Sequence, residues 1–148
     1  AVACDVTKPA EVDALYAEVD KAFGRVDLLF NNAGMGFKAA TIDEVPVEVW
    51  TEVVNVNLTG SFLVARGAFA AMRRQKPMGG RIINNGSISA DRPRPNSAPY
   101  TATKHAISGV CTHISQLHVS PQVCFQAVQR CPLRAHRVLP VKPCQTDH

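Results

Sequence analysis

Tyr100 and Lys104 close the run Tyr100-Thr101-Ala102-Thr103-Lys104. If that run is helical, positions four apart differ by about 40° around the axis, so the phenol and the ammonium share a face. A phenol ordinarily titrates near pH 10 and is a poor base at neutrality. A cation held beside it favours the phenolate, which makes such a pair a tunable proton donor and acceptor. The plain alternative is an amphipathic helix with a solvated lysine. Ser87 stands 13 positions before Tyr100, at the end of an apolar run. A hydroxyl there can hydrogen-bond the same substrate oxygen as a helix-borne phenol, although turn or helix capping is the commoner use of a single serine. Asn57 lies inside a long apolar helical pattern, where Asn is locally unfavourable. A buried amide needs partners, and binding a water or a freed carbonyl is a functional use of that cost. An Asn55–Asn57 pair partly facing solvent is the alternative.

The elements that must position these groups follow from periodicity. Residues 2–6 read as the end of a buried strand. Residues 9–23 read as a helix with Thr7 as its cap, Val12, Leu15, Tyr16, Val19 and Phe23 on one face, and Gly24 as its stop. Residues 26–30 form a short buried-strand pattern ending in Asn31-Asn32-Ala33-Gly34. A helical pattern over 47–75 carries so wide an apolar surface that a sheet and a second subunit are both expected to cover it. Residues 81–85 are the next strand, running into Gly86-Ser87, and residues 100–117 the next helix. Alternating strands and helices predict a parallel α/β sheet. In such sheets ligands sit at the carboxyl ends of strands, which is where Asn31–Gly34 and Ser87 fall.

In order and spacing, Asp5-Val6, Asn31-Asn32-Ala33-Gly34, Asn57-Leu58-Thr59-Gly60, Gly86-Ser87 and Tyr100-x-x-x-Lys104 resemble the classical short-chain dehydrogenase/reductase family. The likeness covers residues 1–114, about three quarters of the chain, as a partial NAD(P)-binding domain. It implies Tyr100 as general acid/base and Ser87 as the group that positions and polarises the substrate oxygen. It implies that Lys104 lowers the Tyr100 pKa and binds the nicotinamide ribose, and that Asn57 holds a water in a proton relay. By the same likeness Asp5 and Val6 line an adenine pocket. Asn32, Ala33 and Gly34 bring backbone close to the cofactor, where a side chain at Gly34 would obstruct. The implied cofactor is NAD or NADP, and the implied reaction is hydride transfer with a small carbonyl or alcohol substrate. The family's helices corresponding to 47–75 and 99–117 imply a homo-oligomer. The alternative is an inactive remnant that only associates with full-length relatives.

The family opens with a strand, a Gly-rich turn and a helix that hold the pyrophosphate. No such run occurs here, and Gly34-Met35-Gly36 follows the wrong strand. The expected fold is therefore a partial Rossmann-like doubly wound parallel sheet without the first βαβ unit and the C-terminal strands. In the order 3-2-1-4-5-6, residues 2–6, 26–30 and 81–85 would be strands three, four and five. Residues 2–6 then lack a neighbour and 26–30 expose an apolar edge, so the isolated chain is expected to self-associate rather than stand as a stable monomer.

The 148 residues carry a net charge of +4. Residues 1–114 hold 12 Lys/Arg against 11 Asp/Glu, a net of +1, while residues 115–148 hold 4 against 1, a net of +3. That is too little and too scattered for a phosphate-binding stripe, so no nucleic-acid partner is expected. Residues 115–148 contain none of the 9 Gly and are expected to be an irregular, non-family tail. The five cysteines (Cys4, Cys111, Cys124, Cys131, Cys144) are odd in number and lack zinc-knuckle spacing, so neither a disulfide framework nor a metal site is expected. No uninterrupted apolar run reaches the roughly 18 residues of a membrane helix. No basic-then-apolar leader opens the chain, so a cytoplasmic location is expected. The start at Ala1, within an apparent strand end, reads as internal.

Overall fold

The computed structural model describes residues 1–116 and 123–128. Helix α1 (Pro9–Phe23) begins where the sequence places it, with Pro in its first turn, where its missing N–H costs no intrahelical bond. Gly24 ends it at φ 70, a left-handed conformation that glycine adopts without a Cβ penalty. Thr7 is not its cap. Lys8 takes that position without a side-chain bond, and the Thr7 N–H and hydroxyl both donate to Asp5 Oδ1, at 2.9 and 2.8 Å. Phe23, expected on the inner face, is exposed.

Strands β1 (Leu28–Asn31) and β2 (Gly80–Asn85) pair in parallel, with Asn31 opposite Asn84. Residues 2–6 form no strand, contrary to expectation. A strand needs a neighbour for its backbone groups, and among the described residues no strand flanks this segment. Val6 instead rests on Gly60, where a Cβ would come within 2.7 Å of Val6 Cγ2.

The expected helix over 47–75 is present but not uniform. It runs as α2 (Val47–Val54), a π-helical turn (Asn55–Gly60) and α3 (Ser61–Arg74). Such wider turns within α-helices frequently occur at functional sites, and this one contains Asn57. By length and composition the 28-residue stretch Val47–Arg74 would suffice to cross a membrane, although polar residues interrupt its apolar run. In the fold, Ala65, Ala68 and Met72 of α3 form the core with Ile82, flanked by Tyr16, Val26, Leu29 and Phe69, as in the core helix of a globular domain. Gly67 leaves room for the Tyr16 ring, which any Cβ there would strike. The Tyr16 hydroxyl donates to the Val64 carbonyl at 2.7 Å, joining α1 to α3.

After β2, residues Ile88–Ala90 make a single 3₁₀ turn, and α4 (Ala98–Gln116) carries the Tyr-x-x-x-Lys run. A third strand, β3 (Val123–Val128), pairs in parallel with β2, giving the order β1-β2-β3. This corrects two expectations, that 115–148 is irregular throughout and that the C-terminal strands are all missing. The run 123–128 has no Gly or Pro and contains Val, Phe and Val, a strand composition that a Gly-free, Cys-rich setting obscured. Cys131 and Cys144 lie outside the described residues.

One face of the sheet is covered by α3 and α4, with α1 packed on α3. Among the described residues no element covers the other, where Leu28 and Phe30 are 59% and 56% exposed. Trp50 and Phe62 are also exposed, on the outer side of the long helix.

Candidate active site

The carboxyl ends of β1 and β2 carry four asparagines. Asn31 and Asn84 are buried and point toward the helices. Asn31 Nδ2 donates to Ser61 O at 2.8 Å and to Asn84 Oδ1 at 2.9 Å, and Asn84 Nδ2 donates to Cys111 Sγ at 3.1 Å. This ladder ties α3, both strands and α4 together directly beneath the site. Burial pushes the Cys111 thiol up from its ordinary range. One residue further on, Asn85 Nδ2 donates to Asn32 Oδ1 at 2.6 Å.

Lys104 is buried, 7% exposed, and its Nζ donates to the Asn85 carbonyl at 2.8 Å. It lies 5.5 Å from the centroid of the Tyr100 ring, so the phenol and the ammonium share a face as helical spacing predicts. An ammonium has three donors, and the Asn85 bond uses one, which leaves two to aim at a ligand.

Asn57 is 1% exposed, whereas Asn55 is exposed, so the alternative of a solvated pair does not describe Asn57. Its Oδ1 accepts from Met35 N at 2.7 Å and its Nδ2 donates to Met35 O at 2.9 Å. One side-chain amide thus pairs with both backbone groups of the residue after Gly34, as a neighbouring strand would. Nδ2 also reaches Thr103 Oγ1 at 3.5 Å, and Thr103 donates to Tyr100 O at 2.8 Å. Asn57 O accepts from Ser61 Oγ at 2.9 Å. A Cβ on Gly34 would press on Asn57 Oδ1 at 3.2 Å, so the close neighbour of that glycine within the chain is Asn57.

These groups border a cleft of about 480 Å³, within the size range of small-molecule sites. Asn32, Gly34, Asn85, Tyr100 and Lys104 line it from the strand ends and α4, and Phe37, Ala39 and residues 94–97 form its loop wall. Ser87 and Asn57 are not among its lining residues. The Ser87 hydroxyl accepts from Ser89 N at 3.2 Å, capping the 3₁₀ turn, and its own proton remains available to a ligand. Asp5 and Val6 lie away from the cleft. The two hydrogen bonds from Thr7 hold the Asp5 carboxyl below its usual range. Among the described residues no three His, Cys, Asp or Glu side chains cluster as metal ligands would.

Sequence reading missed Asn84, Asn85, Thr103 and Met35. The argument that singled out Asn31–Gly34, polar residues closing an apolar strand, applies equally to Asn84-Asn85. Nothing local marks Met35 or Thr103, because their roles come from contacts across the fold.

The sequence model of the family described as short chain dehydrogenase matches residues 1–136, beyond residue 114, where the likeness was expected to end. The chain is 33% identical over 129 residues to a 3beta-hydroxysteroid dehydrogenase of Mediterraneibacter gnavus, covering 87% of this chain and 45% of that protein. It is 41% identical over 106 residues to a D-beta-hydroxybutyrate dehydrogenase of Rhizobium meliloti, covering 72% and 40%. Among solved structures it matches a 3-ketoacyl-(acyl-carrier-protein) reductase of Brucella melitensis complexed with NADH, at TM-score 0.81 and 34% identity, covering 86% of this chain and 53% of that one. The chain thus spans about half the length of the relatives it matches. With the motifs in family order, the fold in common and the family match extending over most of its length, the chain belongs to the short-chain dehydrogenase family.

Proposed function

We propose that the whole protein is an NAD(P)-dependent oxidoreductase that interconverts a small carbonyl compound and its alcohol, with Tyr100 as general acid/base. The observation that carries this reading is the convergence of Tyr100, Lys104, Asn32 and Gly34 on one cleft at the strand ends. The relatives named as hydroxysteroid and hydroxybutyrate dehydrogenases support the carbonyl/alcohol class.

The cleft fits the nicotinamide–ribose end of such a cofactor. Backbone at Asn32, Ala33 and Gly34 is exposed, and Lys104 has two N–H donors to offer ribose hydroxyls. When bound, the cofactor gives or takes the hydride. Asp5 and Val6 are assigned to its adenine end by family likeness. Tyr100 gives a proton to the substrate oxygen in reduction and takes it back in oxidation. Ser87 donates its hydroxyl proton to that same oxygen. Lys104, held by Asn85 O, keeps its charge beside the phenol. The Asn57 side chain positions the loop at Met35, while its carbonyl, with one lone pair taken by Ser61, has a second for a relay water. Exposed Trp50 and Phe62 support a homo-oligomer built through helices 47–75 and 99–117. We assign the protein to the cytoplasm.

The open face at Leu28 and Phe30 favours a second reading, in which this chain only associates with full-length relatives. Titrating the chain with NADH and NADPH, followed by nicotinamide fluorescence, separates the two. Saturable binding supports the enzyme reading, and none supports the remnant. In an enzyme completed with the missing first βαβ unit, Tyr100→Phe is expected to lower carbonyl reduction by at least about 100-fold, the lower range of general acid catalysis, with cofactor affinity retained. An active Tyr100→Phe enzyme would sink the assignment.

A further inference from the structure

We propose that the loop wall of the cleft, residues 94–97, is an anion subsite, in which Arg94 binds a carboxylate or phosphate carried by the carbonyl substrate. The proposal rests on the reading of this cleft as the active site and adds the substrate's charge to it. Among the described residues the charged ones lining the cleft are Lys104 and Arg94, and no Asp or Glu lines it. Lys104 is buried and bonded to the Asn85 carbonyl. Arg94 is exposed, and the ion pair found among the described residues is Arg25–Asp27, elsewhere in the fold. A guanidinium without a carboxylate in a cleft of one sign concentrates anions and can grip one with two parallel N–H donors.

The segment that carries Arg94 is held in place. Ser97 Oγ donates to the Arg94 carbonyl at 2.6 Å, and Ala40 N donates to the Asn96 carbonyl at 3.3 Å, which ties the two loops of this wall together. Asn96 has φ 57, a left-handed conformation that asparagine tolerates better than most residues. Arg94 lies six residues before Tyr100 and lines the same cleft as Asn32, Gly34, Tyr100 and Lys104. Phe37 and Pro95 supply apolar surface beside it. This arrangement suits a short chain with a carbonyl at the Tyr100 end and an anionic group at the Arg94 end. A cofactor phosphate has the same chemistry, so the test must separate the two sources.

The test titrates the chain with 4-oxopentanoate and with its neutral methyl ester, read by saturation-transfer NMR, in the wild type, Arg94→Gln and Arg94→Lys. NADH and NADPH are titrated against the same samples. The wild type is expected to bind the carboxylate about tenfold more tightly than the ester, equivalent to about 1.4 kcal/mol. Arg94→Gln is expected to abolish that preference and Arg94→Lys to keep part of it, with cofactor affinity unchanged in both. Equal affinities in the wild type, no binding of either compound, or a preference that survives Arg94→Gln each overturns the subsite. Loss of cofactor affinity in Arg94→Gln, without loss of carboxylate preference, assigns Arg94 to a cofactor phosphate and overturns it too. Cofactor binding without carboxylate preference removes the subsite alone. Carboxylate preference without any cofactor binding sustains the subsite and favours the reading in which this chain only associates with full-length relatives.

Discussion

Strands β1 and β2 present two faces that meet opposite fates. On the helix side, Ile82 and Met72 are fully buried, and Asn31 and Asn84 are 5% and 3% exposed with both side-chain NH2 groups bonded. On the other side, Leu28 and Phe30 are more than half exposed. Side chains alternate along a strand, so one-residue steps separate the two environments. The site's polar ladder lies entirely on the covered side, where low solvent access strengthens hydrogen bonds and penalises unpaired groups. The cleft at the strand ends is therefore assembled by the elements present, while the exposed side chains of the other face bear on stability and association.

The largest expected effect breaks the covered face. Met72→Ala removes a side chain with no exposed surface from the core with Ala68 and Ile82, and is expected to cost about 2–5 kcal/mol. Chemical denaturation measures it, and a loss comparable to that of a surface substitution would mean that α3 is not seated on the sheet as described.

An intermediate effect probes the junction of α1 with α3. Burial pushes the Tyr16 phenol up to about 12 from its ordinary value of 10. The folded state thus binds this proton more tightly than the unfolded chain. Its contribution is whole below pH 10 and is lost as pH rises from there through about 12. Tyr16→Phe is expected to remove that alkaline loss, at a cost of about 0.5–1.5 kcal/mol at neutral pH for the missing bond to Val64. Denaturation midpoints at about pH 8 and about pH 11 decide it, and an unchanged alkaline slope in the variant would assign the loss to another group.

The smallest effect on stability belongs to the open face. Phe30→Ser is expected to change unfolding free energy by no more than about 0.5 kcal/mol, while increasing the monomer fraction in analytical ultracentrifugation. A large destabilisation would show that another part of the chain, or another copy, covers Phe30.

Periodicity and spacing made much of this legible. Helix α1, strands β1 and β2 and the Tyr100–Lys104 face came through because each depends on residues close in sequence. The π-turn did not, because a helical pattern over 47–75 has the same apolar spacing whether or not one turn widens around Asn57. Residues 2–6 look like a strand by composition, yet strand formation depends on neighbours that composition does not supply. Residues 123–128 were the converse, a strand recognisable once β2 offers it an edge.

The sequence by itself determined the family, the sheet's parallel character and the identities of Tyr100, Lys104, Ser87 and Asn57, because these rest on residue type and local spacing. Only the tertiary structure decided what those residues touch. Asn57 clamps Met35, Lys104 bonds Asn85, Asn84 reaches Cys111, and Arg94 lines one cleft with Asn32 and Gly34. The three hydrogen bonds join residues 19 or more apart in sequence. Such contacts form only when α3 and α4 come to rest on the same face of the sheet, and no local pattern of residues encodes that geometry.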